Sequence, residues 1–389
     1  MRIVTSTTDL NALIAELENA PYLALDTEFL RDQTYWPKLC LIQVASPDVA
    51  AIIDPLANDI DLKPFYELLK KPDTVKVFHA ARQDIEIFQQ QGGVIPDPLF
   101  DSQVAAMVCG YGDAASYETL ARKIANVEID KSSRFTDWSR RPLTNKQLEY
   151  ALADVTHLRT IYEKLSGELK RTHRESWVAE EISALQNPAL YAMDPANAWK
   201  RLKARTSSKR FLAMLASLAA WREREAQTRD IPRGRVLKDE ALLEIAAHPP
   251  ENAEGLERIR AIPKGFGSSR MGKTLLDAIE HGRTAPPPDG IVPEKPRRKR
   301  EPSQAAIDLL KTLLRLRAED AQVAPRLIAN ADDIESLAAC EDDGIEALHG
   351  WRAKLFGNDA KALRNGELGI ALSNGRAVVV KLDGDAAKT

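Results

Sequence analysis

Cysteine is scarce in this chain, with only Cys40, Cys109 and Cys340 in 389 residues. They stand far apart, with neither a Cys-x-x-Cys pair nor a Cys/His spacing. That argues against a zinc site or disulfide framework and suits a reducing compartment. Long apolar runs are missing as well; none reaches the roughly 18 residues that a membrane span requires. No basic segment followed by an apolar stretch opens the chain, so secretion is not expected and a cytoplasmic location is. Nor is there a large charge of either sign, the formal net being −3.

What is present is the composition of a globular protein, 44% hydrophobic and 29% charged, long enough for two or three domains. The small net charge hides a division. Residues 1–166 hold 17 Lys/Arg against 24 Asp/Glu, a net −7; residues 167–300 hold 26 against 18, a net +8; residues 301–389 hold 11 against 15, a net −4. Only the middle is basic. A polyanionic partner would be gripped there, the alternative being that these charges are solvated helix faces.

Read in order, Thr7-Thr8-Asp9 opens a helix that Pro21 stops. A strand follows over 22–29, then short strands at Leu39–Ala45 and Ala50–Ile53 joined by a Ser-Pro-Asp turn. Leu62–Lys71 is an amphipathic helix, Val75–His79 a strand, and Arg82–Gln91 a helix ended by Gly92-Gly93. Further helices fall around Ser102–Cys109 and Tyr117–Ile124. Thr144-Asn145-Lys146-Gln147 is a capping box, opening a helix with an apolar stripe from Leu148 to Leu165. A meander of strands followed by alternation with helices indicates an α/β layer with a mixed sheet.

The expected domains are 1–167 for that α/β unit, 168–204 for a helical connector and 205–282 for an all-α unit. A Pro-rich basic linker over 283–302, with six prolines and the Arg297–Arg300 cluster, then leads to a second all-α unit, 303–382, and a frayed tail, 383–389. The two helical units share a pattern that suggests duplication. Ile231-Pro232-Arg233 precedes Val236, Leu242 and Ile245 as Ala324-Pro325-Arg326 precedes Ile328, Ile334 and Leu337.

The chemistry is concentrated in Tyr22-Leu23-Ala24-Leu25-Asp26-Thr27-Glu28-Phe29. In a strand, residues i and i+2 share a face, so Asp26 and Glu28 lie side by side and call for a cation. The other two Asp-x-Glu triplets, at Asp84 and Asp333, read as helical surface. Asp84 nonetheless follows a strand directly, in the first turn of a helix. Asp154 and Tyr150 share one face of the capped helix. Four carboxylates suffice for two divalent ions roughly 3.5–4 Å apart. All-oxygen ligands favour Mg²⁺ or Mn²⁺. Tyr150, with an ordinary pKa of about 10, suits orienting a water better than deprotonating it. Taken singly, Asp84 reads equally as a helix-start acid, Tyr150 as a core aromatic and Asp154 as an exposed helix partner.

Leu25-Asp26-Thr27-Glu28-Phe29, Val77-Phe78-His79-Ala80-Ala81-Arg82-Gln83-Asp84 and Tyr150-Ala151-Leu152-Ala153-Asp154 resemble the three motifs of DEDD-type 3′-5′ exonucleases. The tyrosine four residues before the last Asp marks the tyrosine subclass; the histidine subclass would need His where Glu149 stands. Phe100-Asp101-Ser102-Gln103 and Thr136–Leu143 resemble segments of ribonuclease D. Trp221–Ala226 with Pro232-Arg233 looks like the opening of an HRDC domain. The resemblance implies a ribonuclease H-like exonuclease fold followed by two HRDC-like domains. It implies removal of single nucleotides from RNA 3′ ends, tRNA precursors among them; a monomer is expected. It places Asp26, Glu28, Asp84 and Asp154 on two metal ions. Asp26 would bridge both, Glu28 and Asp154 would hold the ion that activates water, and Asp84 would act on the other. A DNA exonuclease with the same site and a non-catalytic RNA-binding scaffold are the alternatives.

For substrate contact, Trp138, Arg140 and Arg141 are candidates for phosphate or base, the alternative being that Trp138 simply packs. His79 reads first as a brace of its turn and second as a contact. The Gly-rich Lys264–Arg270 stretch reads as an interhelix turn before a phosphate cradle.

Overall fold

The computed structural model describes residues 1–133, 136–204, 206, 208–288 and 301–382. Most of the expected linker, the Arg297–Arg300 cluster and the tail 383–389 lie outside the described residues.

The first unit is a mixed sheet flanked by helices. Its elements are β1 (Arg2–Val4), α1 (Thr7–Leu17), β2 (Tyr22–Leu30), β3 (Lys38–Ala45), β4 (Ala50–Ile53), α2 (Lys63–Leu68), β5 (Val75–Phe78), α3 (Arg82–Gly92), β6 (Leu99–Asp101), α4 (Ser102–Val108), α5 (Tyr117–Leu120) and α6 (Asn145–Thr172). Spatial order is β1-β4-β3-β2-β5-β6, with β2–β3 and β3–β4 antiparallel and the other pairs parallel. Strand β1 was not anticipated. Three residues carry too little pattern alone; the strand is fixed by its pairing with β4, where fully buried Val4 lies beside Ile53. Ser6, one residue earlier than expected, caps α1 by accepting from the Asp9 amide. Gly93, in the left-handed region at φ 61°, ends α3.

Leu23, Ala24 and Leu25 are fully buried and make β2 the spine of the sheet. The capping box on α6 is present, with Thr144 and Gln147 satisfying each other's backbone amides. From there α6 lies across the face formed by β2, β3 and β4.

After α7 (Glu175–Leu185) come α8 (Lys209–Arg229), α9 (Arg233–Val236), α10 (Asp239–Ala247), α11 (Ala253–Glu257) and α12 (Arg270–Thr284). They close a hydrophobic core of their own around Leu215, Leu218, Trp221, Leu242 and Leu275. The glycine-rich stretch is an interhelix turn whose Ser269 caps α12. The next unit repeats the order with α13 (Gln304–Ala321), α14 (Pro325–Ile328) and α15 (Ala331–Ala338). In both, the long helix ends on a left-handed residue, Asp230 at φ 48° and Gln322 at φ 52°, before the Pro-Arg pair starts a short helix.

That unit departs from the all-α expectation at its end. Residues Leu368–Ser373 and Arg376–Lys381 pair as a two-stranded hairpin, β7 and β8. The turn is Asn374-Gly375, both at positive φ, the geometry a two-residue hairpin needs. Alternation in Ile370, Leu372, Val378 and Val380 is the period-two signal that a helical reading passed over.

The two helical units attach to the sheet differently. Tyr35, on the β2–β3 loop, is 6% exposed and belongs to the core of the first helical unit. Its hydroxyl donates to Glu223 and accepts from Arg233 Nη2 at 2.8 Å and Gln227 Nε2 at 3.1 Å. The Arg233 guanidinium lies 4.4 Å over its ring. The second unit shares one continuous apolar core with the sheet domain. Trp177 stacks on Trp351 at 4.3 Å, and buried Arg352 pairs with Glu180 at 2.8 Å and with Glu181.

Candidate active site

The site forms where parallel neighbours part. Strand β5 accompanies β2 only over Tyr22–Ala24, while β3 pairs with it through Leu30. Beyond Ala24 the chain of β5 turns away into α3, leaving Asp26 and Glu28 at the opening beside its first turn. The β2–β3 register shifts between Glu28 and Phe29, a bulge of the kind that re-aims side chains beside active sites.

Helix α6 brings the opposite wall. Oxygens of Asp26, Glu28 and Asp154 all lie within 4.8 Å of one another. The cleft they line measures about 450 Å³ and also takes in Tyr150, His79, Gln103, Tyr117, Glu118 and Ile129. Burial, then the charges of Asp154, Asp84 and Glu28, pushes the Asp26 carboxyl well above its usual range. Burial and then Asp154 and Asp26 do the same to the Tyr117 phenol, whose hydroxyl donates to the Ala153 carbonyl at 2.9 Å. Three mutually repelling carboxylates with oxygen donors alone fit a hard divalent cation.

Asp84 is set apart from this group. The reading of its triplet as helical surface is corrected: Asp84 is 7% exposed. Its Oδ1 accepts from the Thr27 hydroxyl at 2.5 Å. Burial raises its pKa to about 7, against the lowering effect of that hydrogen bond. Thr27, on the face of β2 opposite Asp26 and Glu28, thus ties the strand to α3.

The turn before α3 is held by Asp101. Ala80 takes φ 58°, unfavourable for a residue with a Cβ. The buried Asp101 carboxylate accepts from the amides of Ala80 at 3.1 Å, Ala81 at 2.9 Å and Gln103 at 2.8 Å. His79 lines the cleft and also braces this region, its Nδ1 lying 2.9 Å from Ser102 Oγ. Burial lowers its pKa, against the raising effect of Asp101. In the sequence alone, the Asp101-Ser102 segment has no assigned role. A helix-capping acid placed directly after a strand was the available signal.

Of the other expected contacts, Trp138 is 2% exposed and packs among Cys40, Leu41, Ile52, Leu148 and Ala151. Its ring lies 6.0 Å from that of Tyr150, which it supports from behind. Arg141 is committed elsewhere. Its guanidinium grips Asp54 through two bonds of 2.6 Å and donates to the carbonyls of Cys40, Trp138 and Arg140. Both therefore brace the segment leading to α6, which replaces the expectation that they touch substrate. Arg140 is exposed beside Asp137 at 3.3 Å.

Residues 1–170 match the family of 3′-5′ exonuclease domains, and residues 211–279 match the HRDC domain. Fold and site together define a 3′-5′ exonuclease carrying a helical accessory region, a class whose domain depends on metal ions. The chain is 48% identical over 381 residues to ribonuclease D of Nitrobacter hamburgensis, covering 98% of this chain and 100% of that one. It is likewise 48% identical over 369 residues to ribonuclease D of Granulibacter bethesdensis, covering 94% and 93%. The crystal structure of Escherichia coli ribonuclease D, described as an exoribonuclease involved in structured RNA processing, superposes with a TM-score of 0.78 at 30% identity. That match covers 94% of this chain and 98% of that one. The chain belongs to the ribonuclease D family; it is a 3′-5′ exoribonuclease acting on RNA. Among the described residues no helix is long and apolar enough to cross a membrane.

Proposed function

We propose that Asp26, Glu28, Asp84, Asp154 and Tyr150 are the working residues of this exoribonuclease, releasing single nucleotides with two divalent ions, Mg²⁺ or Mn²⁺. The observation that carries the reading is the meeting of Asp26, Glu28 and Asp154 within 4.8 Å, from a strand and a helix 126 or more residues apart in sequence. Asp26, Glu28 and Asp154 would hold the ions, with Asp84 reaching them from α3. Ions held there would lower the pKa of an attacking water and stabilise the departing 3′ oxygen. Tyr150 orients that water, and Trp138 behind it keeps the phenol in place. His79 and Gln103 form the wall against which the terminal nucleotide lies, and Arg140 offers charge to a phosphate.

The substrate class follows from the family, and the charge division suggests how it is held. The basic 167–300 segment holds the body of a structured RNA, tRNA precursors among them, while the acidic 1–167 unit works on its 3′ end. The units are 1–167, a connector to 204, an HRDC domain over 205–282, a linker to 302, a second HRDC-like unit to 382 and a short tail. The protein acts as a cytoplasmic monomer. Incubating end-labelled RNA and DNA with Mg²⁺, Mn²⁺ or a chelator tests this. A ladder of one-nucleotide steps on RNA, abolished by chelator, is expected. Internal cleavage, or turnover in chelator, would contradict it.

A further inference from the structure

Behind the carboxylates lies a polar group that the site as described leaves unused. Gln43 of β3 stands directly across the antiparallel ladder from Asp26. Residues paired in this way leave the sheet on the same face. On its other side Gln43 pairs with Ile52 of β4, and α6 covers that face. Its side chain is 0% exposed. Among the described residues, neither Oε1 nor Nε2 has a hydrogen-bond partner. Native interiors almost always satisfy such atoms, and an apolar side chain of equal size would fit a purely structural layer at less cost.

A second observation points to the same layer. The indole Nε1 of Trp138 is also buried without a partner. Trp138 packs against Leu41 and Ile52, the residue two before Gln43 and the one paired with it. Two orphaned polar groups thus lie between the sheet and α6, on the side where Asp26, Tyr150 and Asp154 converge. A layer that holds an amide and an indole donor has the partners a buried water requires.

We propose that Gln43 is a positioning residue for the carboxylate cluster: its Nε2 donates, through one ordered water, to the Asp26 carboxylate. The amide makes no direct bond to Asp26, having no hydrogen-bond partner among the described residues. The bridge fixes which way the Asp26 oxygens face, so that they are already aimed at the ions when these arrive. Partners of this kind behind a metal ligand commonly change metal affinity by about 10–100-fold when removed. The inference rests on the reading of Asp26, Glu28 and Asp154 as the metal site.

The test uses the full chain and Mn²⁺ alone as probe, counted by the paramagnetic signal of the free ion. Gln43→Met should fold, with a melting midpoint in chelator at or above the parent's. It should bind Mn²⁺ about tenfold or more weakly, and lower kcat on a short RNA with KM unchanged. Gln43→Asn, which keeps the amide, should recover part of that affinity. A folded Gln43→Met with parental Mn²⁺ affinity overturns the proposal, as does a Gln43→Asn protein no better than Gln43→Met. If Gln43→Met does not fold, Gln43→Leu, which also removes the amide, takes its place under the same two criteria. Asp26→Asn, measured alongside, separates the two readings. Should it also keep parental affinity, the metal site itself has been misplaced, and Gln43 falls with it.

Discussion

The sheet domain and the first helical unit solve opposite electrostatic problems. The first, net −7 over residues 1–166, crowds carboxylates into one cleft until Asp26 is held well above its ordinary pKa. The second, within the +8 segment 167–300, spreads cations such as Arg258, Arg260, Lys264, Arg270 and Lys273 over an exposed surface. Concentrated charge of one sign is built for ions and chemistry; dispersed charge of the other sign is built for a long polyanion. What joins the two is mostly polar: Tyr35 in its socket of Glu223, Gln227 and Arg233. The second helical unit, by contrast, continues the sheet domain's own core.

This contrast can be broken at several points. The largest effect belongs to the cleft. Asp154→Asn should abolish hydrolysis while RNA affinity, read by filter binding, stays within about twofold; the charge removed is small against the many phosphate contacts elsewhere. Next is Tyr150→Phe, which should lose about a hundredfold or more in kcat with Mn²⁺ affinity retained. An unchanged rate would leave Tyr150 with packing alone. Replacing Arg258, Arg260 and Lys264 with Ser should leave kcat on a short oligonucleotide unchanged. It should reduce the slope of log affinity against log salt by about 2; an unchanged slope would move the RNA off this surface.

Smaller effects concern stability. With Asp84 raised to about 7, against about 3.9 in an unfolded chain, the metal-free folded state keeps a proton that the unfolded state has released. Stability on this account is greatest at low pH and falls as pH rises through roughly 4 to 7. Added Mg²⁺ should therefore raise the melting midpoint more at pH 8 than at pH 5. Equal gains at both would uncouple Asp84 from the metal site. Smallest, Tyr35→Ala should loosen the joint. Protease should reach the β2–β3 loop sooner, while hydrolysis of a dinucleotide stays at the parent's rate.

Much of this was legible in the chain itself, for local reasons. Strand parity puts Asp26 beside Glu28, the capping box starts α6 where it does, and i, i+4 spacing aligns Tyr150 with Asp154. Elements whose existence depends on distant partners were not legible. Strand β1 needs β4, and the burial of Asp84 needs Thr27. Trp138 and Arg141 looked like substrate contacts because a tryptophan next to two arginines is also what a nucleic-acid surface looks like. Asp54 and Cys40, which claim Arg141, stand 87 and 101 positions away. The hairpin at 368–381 was hidden by its helical surroundings, although Asn374-Gly375 announces it. Gln43 carries no signal in sequence at all, because a glutamine within an apolar strand acquires meaning only when Asp26 is found opposite it.

The division between chemistry and grip is tested most directly by Asp26→Asn, with hydrolysis of end-labelled RNA and RNA affinity measured on the same preparation. The account predicts no one-nucleotide products and an affinity within about twofold of the parent's, since that affinity is set by phosphate contacts elsewhere. Ordinary turnover by this protein would contradict it.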